Sequence, residues 1–243
     1  VSNGPLNTVV TDLITDSRRV TPGSAFFAIP GQRTDGNNYL EEAISRGAKT
    51  IISNQKNEDL PLGVASIQTN DPRLALAKFA KKHNGSPDKS LNIIGVTGTN
   101  GKTTVTALAR HFLERPGRPV GLIGTVKYHL GDRDVPSFKT TPEASDIYPL
   151  LKSMLAAGCS EAVMEVSSHG IHQNRVAGLD MEVAVFLNLT RDHLDYHGNM
   201  ENYFREKRKI FNGENGRLPK VAVINADCPY GRRLMDELPP YVH

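Results

Sequence analysis

The sequence predicts an α/β protein of two parts: a small α/β unit over residues 1–88 and a mainly parallel sheet with helices on both faces over residues 89–243. Three observations predict it. A chain of 243 residues suits one large domain or two modest ones at roughly 150 residues each. After residue 90, short apolar runs alternate with helix-period stretches, the pattern of a parallel sheet buried on both sides. Before that alternation lies the polar, Gly- and Pro-containing stretch 84–90 (NGSPDKS), which suits a boundary.

In the first part, residues 24–29 (SAFFAI) read as a strand after the turn Thr21-Pro22-Gly23. Residues 38–46 read as a helix stopped at Gly47, and 50–53 as a second strand. Asp71 before Pro72 is a cap with proline at the first helical position. Leu74, Leu76, Ala77, Phe79 and Ala80 give that helix an apolar face up to His83. In the second part the strands are 92–96, 120–123, 162–166, 183–187 and 221–225, with helices from Lys102, around 144–157, over 200–211 and from Pro229. Pro149 is expected to kink or split its helix, since it lacks the donor the ladder needs.

Composition narrows the function classes. Hydrophobic residues at 38% and charged residues at 23% sit near globular averages, which excludes disorder as the main reading. The net charge of +3 is scattered apart from the short run Arg205, Lys207, Arg208, Lys209, so no nucleic-acid partner is implied. Cys159 and Cys228 stand far apart without metal spacing, which fits a reducing cytoplasm. No apolar stretch approaches the roughly 18 residues of a membrane span, and no signal segment opens the chain, so no membrane is implied. Val1 in place of an initiator methionine suggests processing or a boundary within a longer chain.

Residues 93–104 (IIGVTGTNGKTT) place a glycine-bearing turn between an apolar strand and a helix. Gly98, Thr99, Asn100, Gly101, Lys102, Thr103 and Thr104 then aim backbone N–H groups at phosphate oxygens. Lys102 reaches the outer phosphates, and the Thr103 hydroxyl can bind Mg²⁺. The strict spacing needs glycine where Val96 stands, so the loop is a variant.

Glu165 ends an apolar strand, which sets a carboxylate at the sheet edge where α/β proteins bind ligands; a structural role is the alternative. The segment 188–197 (NLTRDHLDYH) collects Asp192, Asp195, His193 and His197. There His193 reads as a metal ligand, with a turn stabilised by aspartates as the alternative. On spacing alone Lys207 is a solvated lysine of an amphipathic helix that also carries Tyr203, Phe204, Ile210 and Phe211.

Together, GVTGTNGKTT, KTTPEASD at 139–146, MEVSSHGIHQNRVAGLD at 164–180 and FLNLTRDHLDYHGNMENYFREK at 186–207 resemble the Mur ligases, ATP-dependent amide-forming enzymes of peptidoglycan assembly. TDSRRV at 15–20, FFA at 26–28 and TDG at 34–36 resemble the UDP-binding module of the branches that add the third residue and the terminal dipeptide. EVSSH with QNRV and TRDHLDYHG is similar to the third-residue branch.

The resemblance implies that Ser17 contacts the UDP moiety, while Thr140, Thr141, Ser167, Gln173 and Arg175 hold the muramoyl-dipeptide. Lys102 and Thr103 serve ATP and Mg²⁺, Glu165 and His193 hold metal, and Lys207 is a carbamylated N6-carboxylysine that also ligates metal. It implies a cytoplasmic, monomeric ligase acting on UDP-N-acetylmuramoyl-L-alanyl-D-glutamate. On this resemblance ATP phosphorylates the D-glutamyl γ-carboxylate and the amine of a diamino acid, meso-diaminopimelate with L-lysine as the alternative, displaces phosphate. It also implies that the chain, ending at residues 239–243, lacks the C-terminal domain, holds an incomplete central ATP-binding domain and does not complete ligation alone. Cys228 and Leu187 depart from the family pattern away from the phosphate chemistry. Two rivals remain: a folylpolyglutamate-synthase-like ligase, against which residues 11–50 argue, and a binding module that keeps the scaffold without catalysis.

Overall fold

The structure is a computed structural model that describes residues 2–3, 8–31, 34–57 and 59–238; the expectations drawn from Val1 and from residues 239–243 lie outside them. The chain packs as two units, Val1–Ala80 and Lys81–His243.

The first unit contains β1 (Ser2–Asn3), β2 (Leu13–Ile14), β3 (Ala25–Ala28), α1 (Leu40–Ser45), β4 (Thr50–Ser53), β5 (Ala65–Gln68) and the start of α2 (Pro72–His83). The sheet order is β1-β5-β4-β3-β2, with β2 to β5 parallel and β1 antiparallel. All four residues of β3 and of β4 are buried, as central parallel strands require. Val20, Phe26, Ala28, Ala43, Ala48 and Ile51 form one core, and Phe27 meets Phe79 edge-on on the other face. The Asp71 carboxylate accepts from Leu74 N–H at 2.9 Å, so the cap before α2 forms as expected. The helix expected over 38–46 begins instead as a 3-10 turn, Gly36–Tyr39, because Asp35 captures the Asn37 N–H.

The second unit contains β6 (Asn92–Thr97), α3 (Lys102–Leu113), β7 (Val120–Ile123), β8 (Lys127–His129), β9 (Asp134–Pro136), α4 (Ala144–Ala156), β10 (Glu161–Glu165), α5 (Ser168–His172), β11 (Val183–Phe186), α6 (Leu194–His197), α7 (Met200–Arg208), β12 (Val221–Ile224) and α8 (Pro229–Glu237). The order is β12-β11-β6-β10-β7-β8-β9; the first five are parallel and β8 and β9 add an antiparallel edge. Val96, Val120, Leu122 and Val163 face α3 through Val105 and Ala109. On the opposite face, Gly121 leaves room for Met154 of α4, whose sulfur a Cβ there would meet at 2.3 Å. The mainly parallel α/β sheet covered on both faces is thus present.

Pro149 does not split α4, which runs unbroken through it. Ile147, Tyr148, Leu151 and Met154 are buried on both sides of the proline, and that apolar stripe holds the helix together across the missing bond. The stretch 84–90, read as a boundary, carries a 3-10 turn at Pro87–Lys89. Asp88 is fully buried, its Oδ2 taking Lys81 Nζ at 2.7 Å and the Asp180 N–H at 3.0 Å.

Candidate active site

The parallel strands β11, β6, β10 and β7 deliver their carboxyl ends to one edge of the second unit. At the end of β6, Gly98 lies so close to Leu187 that a Cβ would sit 2.9 Å from the Leu187 Cβ. Gly101, at φ +89°, turns the chain into α3. The loop is stapled by Asn188, whose Oδ1 accepts from the N–H of Thr99 (3.1 Å) and Asn100 (3.0 Å) while its Nδ2 donates to the Asn100 carbonyl (3.1 Å). Thr99 Oγ1 adds a bond from Thr190 N–H at 3.0 Å. Lys102 curls over the loop and donates to the Gly98 and Thr99 carbonyls, both at 2.9 Å. Burial pushes the Lys102 ammonium below the ordinary lysine range, against the pull of Glu165 and Asp192.

Glu165, 1% exposed, ends β10 beside that loop. One oxygen accepts from Thr125 N–H at 2.8 Å; the other accepts from the hydroxyls of Thr103 and Thr125, both at 3.0 Å. A Cβ on Gly124 would meet the first oxygen at 2.6 Å, so the carboxylate sits directly over glycine backbone. Thr140 reaches the same corner through the Thr125 hydroxyl at 3.0 Å.

Lys207 overturns its reading as a solvated helix lysine: it is 1% exposed. Its Nζ donates to the Gly98 carbonyl at 2.9 Å and to Thr97 Oγ1 at 3.3 Å, and lies 4.8 Å over the Tyr203 ring. Phe204 and Tyr203 bury their side of α7, and Lys207 follows them inward within one turn. Burial first, and then the neighbouring Lys102 charge, push the Lys207 amine well below the ordinary lysine range.

His193 adopts φ +51° before α6, its ring 4.9 Å from His169 and its side chain 47% exposed. His197 stacks on Tyr203 at 4.9 Å and shares a hydrogen bond of 2.9 Å with Ser168 Oγ. Among the described residues no group of three or more His, Cys, Asp or Glu side chains is arranged for a metal. The expected set has only two of those, Glu165 and His193; its other members are a hydroxyl and a lysine.

The expected peptide-binding residues form one chain of bonds. Thr141 Oγ1 donates to the Glu165 carbonyl at 2.9 Å and takes the Ser167 N–H at 3.0 Å. Arg175 Nη1 donates to the Thr141 carbonyl at 2.8 Å and Nη2 to Gln173 Oε1 at 2.6 Å, while Gln173 Nε2 donates to the Tyr196 hydroxyl at 3.0 Å. Ser17, in the first unit, follows β2 and donates to Glu42 Oε2 at 2.7 Å. Thr104 is exposed on α3.

Residues 96–241 match the Mur ligase middle domain, and residues 10–84 match a second domain of the same family, described as Mur ligase family, catalytic domain. The chain belongs to the Mur ligase family. Among curated relatives, this Mur ligase chain is 46% identical over 227 residues to a protein of Solibacter usitatus named UDP-N-acetylmuramoyl-L-alanyl-D-glutamate--2,6-diaminopimelate ligase, and 40% identical over 240 residues to one of the same name from Geobacter metallireducens. These matches cover 93% and 97% of this chain but 46% and 47% of the relatives, so it spans about half their length. A solved structure bearing the same ligase name superposes with a TM-score of 0.79 at 31% identity, over 93% of this chain and 45% of that one. A MurF ligase of Thermotoga maritima, solved with ADP, superposes at 0.62 with 23% identity over 98% of this chain and 50% of its own, a likeness of fold.

Sequence reading missed three residues of this Mur ligase site. Thr125 binds both oxygens of Glu165, Asn188 clamps the loop, and Glu143 lies 3.1 Å from Arg175 Nε. Thr125 and Asn188 each follow a strand of the sheet by a residue or two, which is the signal that marked Glu165.

Proposed function

We propose that this chain carries the nucleotide- and peptide-binding parts of an ATP-dependent ligase that joins a diamino acid, meso-diaminopimelate, to the D-glutamyl γ-carboxylate of UDP-N-acetylmuramoyl-L-alanyl-D-glutamate. One observation carries the reading: in a chain 40–46% identical to ligases of that name, Lys102, the Thr103–Glu165 pair and buried Lys207 meet around one phosphate loop. On this reading residues 1–88 take the UDP moiety through Ser17, and residues 89–243 take ATP and the dipeptide. The same reading places the protein in the cytoplasm, as a monomer.

A carboxylate is a poor electrophile until one oxygen becomes a leaving group, and here two anions must meet to achieve that. Lys102 supplies positive charge from the loop, and the N–H groups of residues 101–104 hold the phosphates on a loop that Asn188 fixes through Thr99 and Asn100. The donor set suits a hard cation, since the Glu165 carboxylate and Thr103 hydroxyl oxygens lie 3.0 Å apart. Mg²⁺ held by Thr103, Glu165, His193 and carbamylated Lys207 would offset the repulsion between triphosphate and substrate carboxylate.

Burial and the neighbouring Lys102 charge favour the neutral form of the Lys207 amine, the form that attacks carbon dioxide. Lys207 Nζ would form the N–C bond and release one proton to water, leaving a carbamate oxygen ligand. Arg175 holds a substrate carboxylate, and Thr140, Thr141, Ser167 and Gln173 set the dipeptide beside the transferred phosphoryl group.

The test is calorimetric binding of UDP-N-acetylmuramoyl-L-alanyl-D-glutamate, with dihydropteroate as control. Selective binding that Arg175→Ala weakens by tenfold or more, roughly the loss of a bidentate charged pair, supports the reading. A folded protein that binds neither ligand, or binds dihydropteroate, refutes it.

A further inference from the structure

Arg175 has a resident carboxylate. Its Nε lies 3.1 Å from Glu143 Oε1, with the two side chains 13% and 15% exposed. The same Glu143 oxygen lies 2.8 Å from Lys139 Nζ, whose side chain is 44% exposed. The other two nitrogens of the guanidinium bind the Thr141 carbonyl and the Gln173 amide oxygen.

The guanidinium has five N–H donors, and an incoming carboxylate that takes its Nε edge meets the Glu143 oxygen there and must displace it. The Thr141 carbonyl is fixed by backbone, and Gln173 is held by Tyr196. Glu143 is the one anion among the three, so it repels the newcomer most. It also has a second cation waiting to keep it, on the exposed side.

We propose that Glu143 is a specificity-determining residue: a built-in carboxylate that occupies Arg175 until a substrate carboxylate replaces it, Lys139 then retaining Glu143. The inference rests on Arg175 being the substrate-carboxylate residue. Ligands without a carboxylate cannot drive the exchange, so they meet an arginine already neutralised. Ligands with one bind with an affinity scaled down to the fraction of molecules in which Glu143 has released the arginine.

The experiment compares the full chain with Glu143→Gln and Glu143→Asp in calorimetric titrations, each variant first checked for an unchanged cooperative melt. Two ligands are used: UDP-N-acetylmuramoyl-L-alanyl-D-glutamate, and UDP-N-acetylmuramoyl-L-alaninamide, which has no peptide carboxylate. Glu143→Gln removes the competing charge and is expected to bind the dipeptide ligand roughly three- to tenfold more tightly, with no change for the alaninamide. Glu143→Asp keeps the charge but withdraws the oxygen, and is expected to tighten binding in the same direction. A merely structural role for Glu143 would weaken both ligands together. Equal or weaker dipeptide binding by Glu143→Gln, or wild-type behaviour of Glu143→Asp, overturns the inference while leaving the proposed function standing. No dipeptide binding by any of the three proteins overturns both.

Discussion

Buried His197 shows what a single side chain contributes here. It is 6% exposed, and burial pushes its imidazole down to about 4, helped by the charges of His169, His172 and Lys207 and opposed by Glu206. An unfolded chain has an ordinary imidazole near 6.5. Between those values the unfolded state binds a proton that the folded state refuses, so stability is complete above pH about 6.5 and is lost as the pH falls toward 4. The loss from this residue is at most about 3 kcal/mol across that window. His197→Gln keeps a polar partner for Ser168 and does not titrate. Urea midpoints at pH 7.5 and pH 5 should therefore lie closer together in the variant than in the wild type, and an equal spread would disprove the assignment. Lys207 teaches the complementary lesson. Its partners, Thr97 and Gly98, stand 110 and 109 residues away, so no local spacing in α7 could reveal that the lysine turns inward.

At the level of elements, the strands of the parallel sheet were readable because each is a short apolar run closed by turn residues. β5 (Ala-Ser-Ile-Gln) and the edge pair β8 and β9 were not, since their half-polar sequences carry no such contrast and pairing supplies their order. The same contrast between pattern and packing separates two helices. α4 buries Leu151 completely, whereas α3 leaves Phe112 73% exposed and Leu108 49% exposed although both look like core residues in the sequence. Leu151→Ala should cost about 2–5 kcal/mol, the transfer of the side chain plus the cavity it leaves. Phe112→Ser should stay within about 0.5 kcal/mol of wild type, as an exposed position does. Denaturant titrations of both variants check this pair; a large loss for Phe112→Ser would mean that its ring is covered in solution.

In the whole molecule the same α/β arrangement, parallel strands running into a turn at their carboxyl ends, occurs twice. Ligands bind beyond the carboxyl ends of parallel strands. In the first unit β2 runs into Asp16 and Ser17, with Asp16 capping the turn that follows; in the second, β6 runs into residues 98–101. This edge was legible from sequence at the loop and at Glu165, which close their own strands. The clamp by Asn188 was not, because it joins residues 88 and 89 positions apart. If each unit keeps its own ligand, hydrogen exchange should separate them. ADP with Mg²⁺ should slow exchange at residues 101–104 and leave 15–19 unchanged, because the loop N–H groups gain phosphate acceptors. UDP should slow 15–19 and leave 101–104 unchanged. Lys102→Met should abolish the first effect and spare the second. Protection of residues 101–104 by UDP instead would place both nucleotides on one loop and defeat the division of labour between the units.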